Sequence, residues 1–202
     1  MRFIYQGDHP HMLYVTRCEL DEKNRERGKT TTIKSSGCGL CAAIMAVDRL
    51  LPNCNFELTD AIQLSYDSKA NLDIGTDYAI YGPAVAEKFG LRYEVCADVE
   101  GVRNCLRTGG AVVVLVGGDK NGHKGLFCDS GHYMTIIAEE LDGRFAILDP
   151  AFSNKRFKEK GMEEIRARYL EVKNEVITLC DPEILHGETT GKYGPYHLYW
   201  SK

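Results

Sequence analysis

The pattern of apolar positions along the chain changes period once, near its middle. In the first half it is helical. From Leu40, the residues Cys41, Ile44, Met45, Asp48 and Leu51 recur at three- and four-residue spacing, while Ala42, Ala43, Ala46, Val47 and Leu50 widen the apolar surface. This predicts a helix buried on most sides, stopped by Pro52. Glu57–Lys69 reads as a second helix, with Leu58, Ala61, Ile62 and Leu64 as its apolar members, and Asn71–Gly75 as a turn. Thr76-Asp77 can cap a helix from Tyr78 to Phe89 that Gly90 ends, and Pro83 within it places the true start at or just before that proline. Leu91–Cys96 alternates as a strand does, and Asp98 caps a short helix, Val99–Arg107, closed by Gly109-Gly110.

From Ala111 onward the period is that of a sheet. Ala111–Val116 (AVVVLV) is a continuous apolar run and predicts a central strand. Tyr133–Ala138 and Arg144–Leu148 are further strands, joined at Asp142-Gly143 into an antiparallel hairpin that sets Tyr133 close to opposite Leu148. Between the first two strands lies Gly117–Gly131, a loop with five glycines and long enough to suggest a function. Lys160–Val172 reads as a polar-faced helix, and Glu175–Cys180 and Tyr196–Trp200 as strands. At the other end, Arg2–Gln6 and Met12–Arg17 are β-prone runs about a polar turn, predicting a hairpin, while Asp21–Lys29 is a charged, solvated loop. No repeat or linker divides the chain, so the expectation is a single α+β domain over residues 1–202, its helices packed on a later antiparallel sheet.

Composition narrows the classes. The chain has 202 residues, 44% apolar and 27% charged, with a net charge of -4. That is a soluble globular composition with no reason to expect nucleic acid as a partner. No apolar run is long enough to span a bilayer. The first ten residues lack an apolar segment after Arg2, so unless a signal has been removed the expected location is cytoplasmic. The eight cysteines are irregularly spaced in a chain rich in core, so most read as reduced thiols. A structural zinc site would need a second close pair or histidines beside Cys38-x-x-Cys41, so no metal and no cofactor is expected.

Candidate chemistry begins at Cys38. Gly37 and Gly39 bracket it, and it stands at the first turn of the central helix. The unpaired N–H groups there favour thiolate over thiol. A thiolate nucleophile needs a base and a group to orient that base. Of six histidines, His132 follows Gly131 at the mouth of a strand, with His123 in the loop as its rival. Asp149 ends the neighbouring strand in Leu148-Asp149-Pro150, so the hairpin brings it to the same end of the sheet as His132. Cysteine at a helix start, histidine at a strand start and acid at the next strand's end agree on one geometry.

These residues resemble the papain-like cysteine peptidases, in the branch related to the bacteriocin-leader-processing peptidases. The resemblance rests on Thr32-Ile33-Lys34-Ser35-Ser36-Gly37-Cys38-Gly39 with Ala43-Ile44-Met45, then Gly131-His132-Tyr133, then Gly143 to Pro150. It spans roughly residues 30 to 155, and it implies the papain-like fold. It also implies Cys38 as nucleophile, His132 as general base and then acid, and Asp149 as the orienting residue, acting on a peptide or small amide. The family commonly carries an oxyanion-binding glutamine six residues before the cysteine, where this chain has Thr32. The backbone N–H of Cys38 can supply one donor, with Thr32, Ser36, Ser35 or Gln6 as candidates for another. Three other readings stand beside this one: a catalytically silent binding protein, an acyltransferase that would use the same three residues, and a thiol–disulfide oxidoreductase built on Cys38-x-x-Cys41.

Overall fold

The computed structural model describes residues 2–20, 30–120, 122–151, 168–172, 175–191 and 194–202. Its helices are α1 (Arg17–Leu20), α2 (Ile33–Ser36), α3 (Cys38–Leu50), α4 (Leu58–Asp67), α5 (Tyr78–Phe89), α6 (Val99–Arg107) and α7 (Pro182–Gly187). The strands are β1 (Arg92–Cys96), β2 (Ala111–Gly117), β3 (Gly131–Glu139), β4 (Phe145–Leu148), β5 (Arg168–Val172), β6 (Glu175–Cys180) and β7 (Tyr196–Trp200). They form one sheet in the order β1-β7-β2-β3-β4-β6-β5, with every pairing antiparallel. This is the α+β arrangement the sequence predicts.

The central helix is α3. Within it only Cys38 and Arg49 are not buried, and it lies against β2 and β3. Full burial of side chains such as Leu40, Ile44 and Met45 contributes about 1.5–3 kcal/mol each relative to exposure. Thr135 Oγ1 on β3 donates to the Ala42 carbonyl at 2.8 Å, a buried hydrogen bond from the sheet to the helix. The opposite sheet face is covered as well. Val102 and Cys105 of α6 and Leu185 of α7 pack on Val112, Val114, Met134 and Ile136. Both faces of β2 are therefore buried, which is why its sequence is continuously apolar rather than alternating.

Several expectations are corrected. Arg2–Gln6 and Met12–Arg17 do not pair as a hairpin. Gln6–Asp8 is a 3-10 turn, and Arg17–Leu20 is helical. The segment about Leu13 instead pairs with Thr32, through Tyr14 N–H to the Thr31 carbonyl (3.1 Å) and Ile33 N–H to the Met12 carbonyl (2.9 Å). The first residues are held elsewhere: Arg2 N–H donates to Asp48 Oδ2 at 2.7 Å, and Gln6 N–H to the Pro150 carbonyl at 2.9 Å. Helix α5 begins at Tyr78, with Pro83 in its interior. Asp77 Oδ1 accepts from Ala79 N–H at 3.0 Å, and buried Tyr78 and Tyr81 pin the first turn, offsetting the hydrogen bond that the proline removes.

Of the helix expected over Lys160–Val172, the part 168–172 is a strand paired with β6, and the rest lies outside the described residues. The open edge of β6 offers those backbone groups a ladder of partners, which overrides the helical spacing. The loop expected over Asp21–Lys29 also lies outside the described residues. In the central hairpin, Leu148 faces Thr135 rather than Tyr133. A β-bulge between Ile136 and Ala138 shifts the ladder by one residue, which carries the end of β4 closer to the start of β3 than an unbroken pairing would.

Candidate active site

Cys38 opens α3, and steric fit explains the glycines beside it. A Cβ on Gly37 would stand 2.7 Å from the Ile33 carbonyl oxygen, and one on Gly39 would stand 3.0 Å from Thr76 and 3.3 Å from the Tyr133 ring. The one-turn helix α2 therefore runs straight into α3, and the sulfur is brought against the start of β3. There it shares a hydrogen bond with His132 and accepts from the backbone N–H groups of Tyr133 and Gly39.

His132 Nε2 donates to Asp149 Oδ1 at 2.7 Å. Both side chains are buried, 5% and 1% exposed. With Nε2 committed to the carboxylate, Nδ1 is the ring nitrogen left for the sulfur. The same Oδ1 accepts from Ala151 N–H at 2.8 Å, which fixes the carboxyl group at the end of β4. Burial alone would lower the affinity of His132 for a proton, but the Asp149 charge and hydrogen bond, together with Cys38, push its pKa up to about 10. Burial alone would raise the Cys38 thiol, yet the hydrogen bond and charge of His132, with the two backbone donors, hold it below the ordinary thiol range. The pair is thus biased toward thiolate and imidazolium.

A cleft of about 300 Å³ reaches Cys38 and His132. One wall is the end of the Gly117–Gly131 loop, from Phe127 to Gly131, and the other is formed by Gln6, Ser35 and Ala151. Gln6 Nε2 donates one proton to the Lys34 carbonyl at 2.8 Å, and its second proton has no partner among the described residues.

The other candidate positions fall away from the cleft. Thr32 caps α2, its N–H bound to Ser35 Oγ at 2.9 Å, and does not line the cavity. Ser36 does not line it either, its hydroxyl lying 3.3 Å from that of Ser35. His123, the rival base, pairs with Glu188 at 2.8 Å outside the cleft. Cys41 is a fully buried free thiol whose pKa burial drives far above the ordinary range, so it is poorly suited to exchange with Cys38. No group of acidic, cysteine or histidine side chains among the described residues could hold a metal ion, and no described helix is long and apolar enough to cross a membrane.

A cysteine-bearing helix packed on an antiparallel sheet that carries the histidine is the papain-like cysteine peptidase fold, and solved structures share it over most of the chain. The peptidase domain of Streptococcus ComA, a bi-functional ABC transporter involved in a quorum-sensing pathway, is 15% identical at a TM-score of 0.50, over 82% of this chain and 91% of that one. A protein of Bacillus anthracis assigned as a C39-like peptidase is 10% identical at a TM-score of 0.53, over 83% and 90%. No protein-family model matches the chain, and no curated protein sequence matches it.

Proposed function

We propose that this protein is a cysteine peptidase, cleaving a peptide or amide bond through Cys38, His132 and Asp149. The observation that carries this reading is the buried 2.7 Å hydrogen bond from His132 to Asp149, made beside the sulfur of Cys38 at the foot of an open cleft. The thiolate attacks the amide carbonyl. His132, already protonated, gives its proton to the leaving amine, and a thioester to Cys38 remains. Water then attacks the thioester with His132 as base, releasing the acid and regenerating the pair. Asp149 keeps the ring oriented and stabilises the imidazolium. Gln6 and the N–H of Cys38 are the donors for the oxyanion, since the glutamine amide lines the cleft where Thr32 and Ser36 do not.

The test is labelling by an electrophilic probe for nucleophilic cysteines, beside Cys38→Ala and Cys41→Ala. Labelling is expected to vanish in the first and persist in the second. Equal labelling of the two variants, or no labelling of the parent protein, overturns the reading.

A further inference from the structure

Among the described residues, the charged groups of the catalytic cleft sum to a negative charge. The Cys38–His132 pair sums to no net charge as thiolate and imidazolium or as neutral thiol and imidazole, so Asp149 leaves the triad at a net of one negative charge. On the wall opposite Gln6 stands a second carboxylate, that of Asp129, which is solvent-exposed and whose side-chain oxygens make no hydrogen bond or ion pair among the described residues. None of the described residues lining the cleft is lysine or arginine. The nearby Lys120 of the same loop is turned to Thr190 Oγ1 at 3.2 Å.

The loop that presents Asp129 is braced rather than slack. Leu126 N–H donates to Glu188 Oε2 at 2.8 Å, and the Gly117 N–H donates to the Glu188 carbonyl at 2.8 Å. The Asp129 carbonyl accepts from Asp119 N–H at 3.1 Å, and Asp119 Oδ1 accepts from Gly125 N–H at 3.0 Å. Gly118 lies so close beneath that a Cβ there would come within 2.3 Å of the Asp129 carbonyl oxygen. A backbone fixed in this way holds the carboxylate at the cleft with little ordering left to do on binding.

We propose that Asp129 is the specificity residue of the cleft and that the substrate is a cationic peptide or amide, with a lysine or arginine side chain or an equivalent ammonium near the scissile bond. The substrate's cation supplies the counter-charge to that carboxylate. This rests on the reading of Cys38 as an accessible nucleophile. A walled cleft with a net negative charge also raises the local concentration of cations, so the effect extends to encounter rate.

The experiment measures the rates at which Cys38 is modified by three methanethiosulfonates of similar size, one trimethylammonium, one neutral and one sulfonate, read by mass spectrometry of the Cys38 peptide. Cys38 sulfur displaces methanesulfinate in each case, so only the reagent's charge differs. Wild type is expected to favour the cation over the anion by about tenfold or more at low ionic strength, with the preference shrinking in added salt. In Asp129→Asn that ratio is expected to fall about three- to tenfold, and in Asp129→Glu to be retained. Equal rates for all three reagents, or a preference left undiminished by Asp129→Asn, overturns the inference and leaves the nucleophile standing. No reaction of Cys38 even with the neutral reagent overturns both.

Discussion

His132 reaches Asp149 although the two are not directly across the hairpin from each other. Leu148 faces Thr135, so Asp149 continues past β4 toward Met134, and the 2.7 Å hydrogen bond to His132 is made diagonally at the open end of the sheet. Diagonal neighbours lie about 7–8 Å apart at the backbone, a gap that an imidazole and a carboxylate fill together. In the proposed mechanism this contact fixes which ring nitrogen meets the sulfur and how tightly the ring holds its proton.

Replacing Asp149 by Asn is therefore expected to act on pH dependence as well as on rate. The carboxylate raises the His132 pKa to about 10 against the lowering effect of burial. Imidazolium is the acid that protonates the leaving amine, so activity on an amide substrate should fall as pH rises through about 10. Removing the charge removes the largest raising influence, so the alkaline limb should move to lower pH. Turnover at neutral pH should drop by about a hundred- to ten-thousandfold. A pH–rate profile of the variant checks both, and an unmoved alkaline limb would count against the role.

Cys38 should alkylate at pH values where an ordinary thiol is inert. Its pKa is held down by His132 and two backbone donors against the effect of burial, so the thiolate persists on the acid side of the usual thiol range. The rate of reaction with iodoacetamide, followed against pH at the Cys38 peptide, is expected to show a midpoint below the ordinary value of about 8.5. His132→Ala should move that midpoint upward, because the pairing that favours the charged sulfur is gone. Cys41 is expected to stay unmodified in the folded protein, since it is fully buried with a raised pKa.

The parts of this arrangement that were legible in the sequence are those set by local periodicity. The helix over α3, the buried run of β2 and the β3–β4 hairpin each follow from spacing alone, and they carry Cys38, His132 and Asp149 to neighbouring ends. What spacing does not carry is long-range pairing. Residues 168–172 are a strand because β6 lies beside them, not because of their own pattern. Arg2–Gln6 does not pair with Met12–Arg17, because Asp48 and Pro150 hold it instead. The same limit applies to the cleft. Counting back six residues from Cys38 arrives at Thr32, whereas Gln6, much further back along the chain, lines the cavity. Glu188, which braces the cleft loop from just beyond α7, has no local signal at all.

Gln6 and Thr32 should separate cleanly on kinetics. Gln6 is anchored through its backbone, by the N–H bond to the Pro150 carbonyl, so Gln6→Ala leaves the strap in place and removes only the amide. If that amide stabilises the oxyanion, kcat should fall by about a hundred- to a thousandfold with little change in KM. Thr32→Ala should leave kcat within about twofold, since Thr32 lies off the cleft and its N–H bond to Ser35 does not use its side chain. The reverse outcome, a large kcat loss in Thr32→Ala with Gln6→Ala near wild type, would return the donor to Thr32.

Glu188 is expected to govern the wall of the cleft from outside it. Its side chain is 7% exposed and takes Leu126 N–H on Oε2 and the His123 ring on Oε1, both at 2.8 Å. Truncation to Ala leaves the Leu126 donor without its acceptor and should cost about 1–3 kcal/mol in urea unfolding. Gln keeps an oxygen for Leu126 and a polar partner for the His123 ring, so Glu188→Gln should lose less than Glu188→Ala. Because the loop forms one wall of the cleft, loosening it should raise KM more than it lowers kcat. It should also open Gly117–Gly131 to limited proteolysis. A Glu188→Ala protein that is destabilised yet shows unchanged KM and unchanged cutting of the loop would make the contact purely structural.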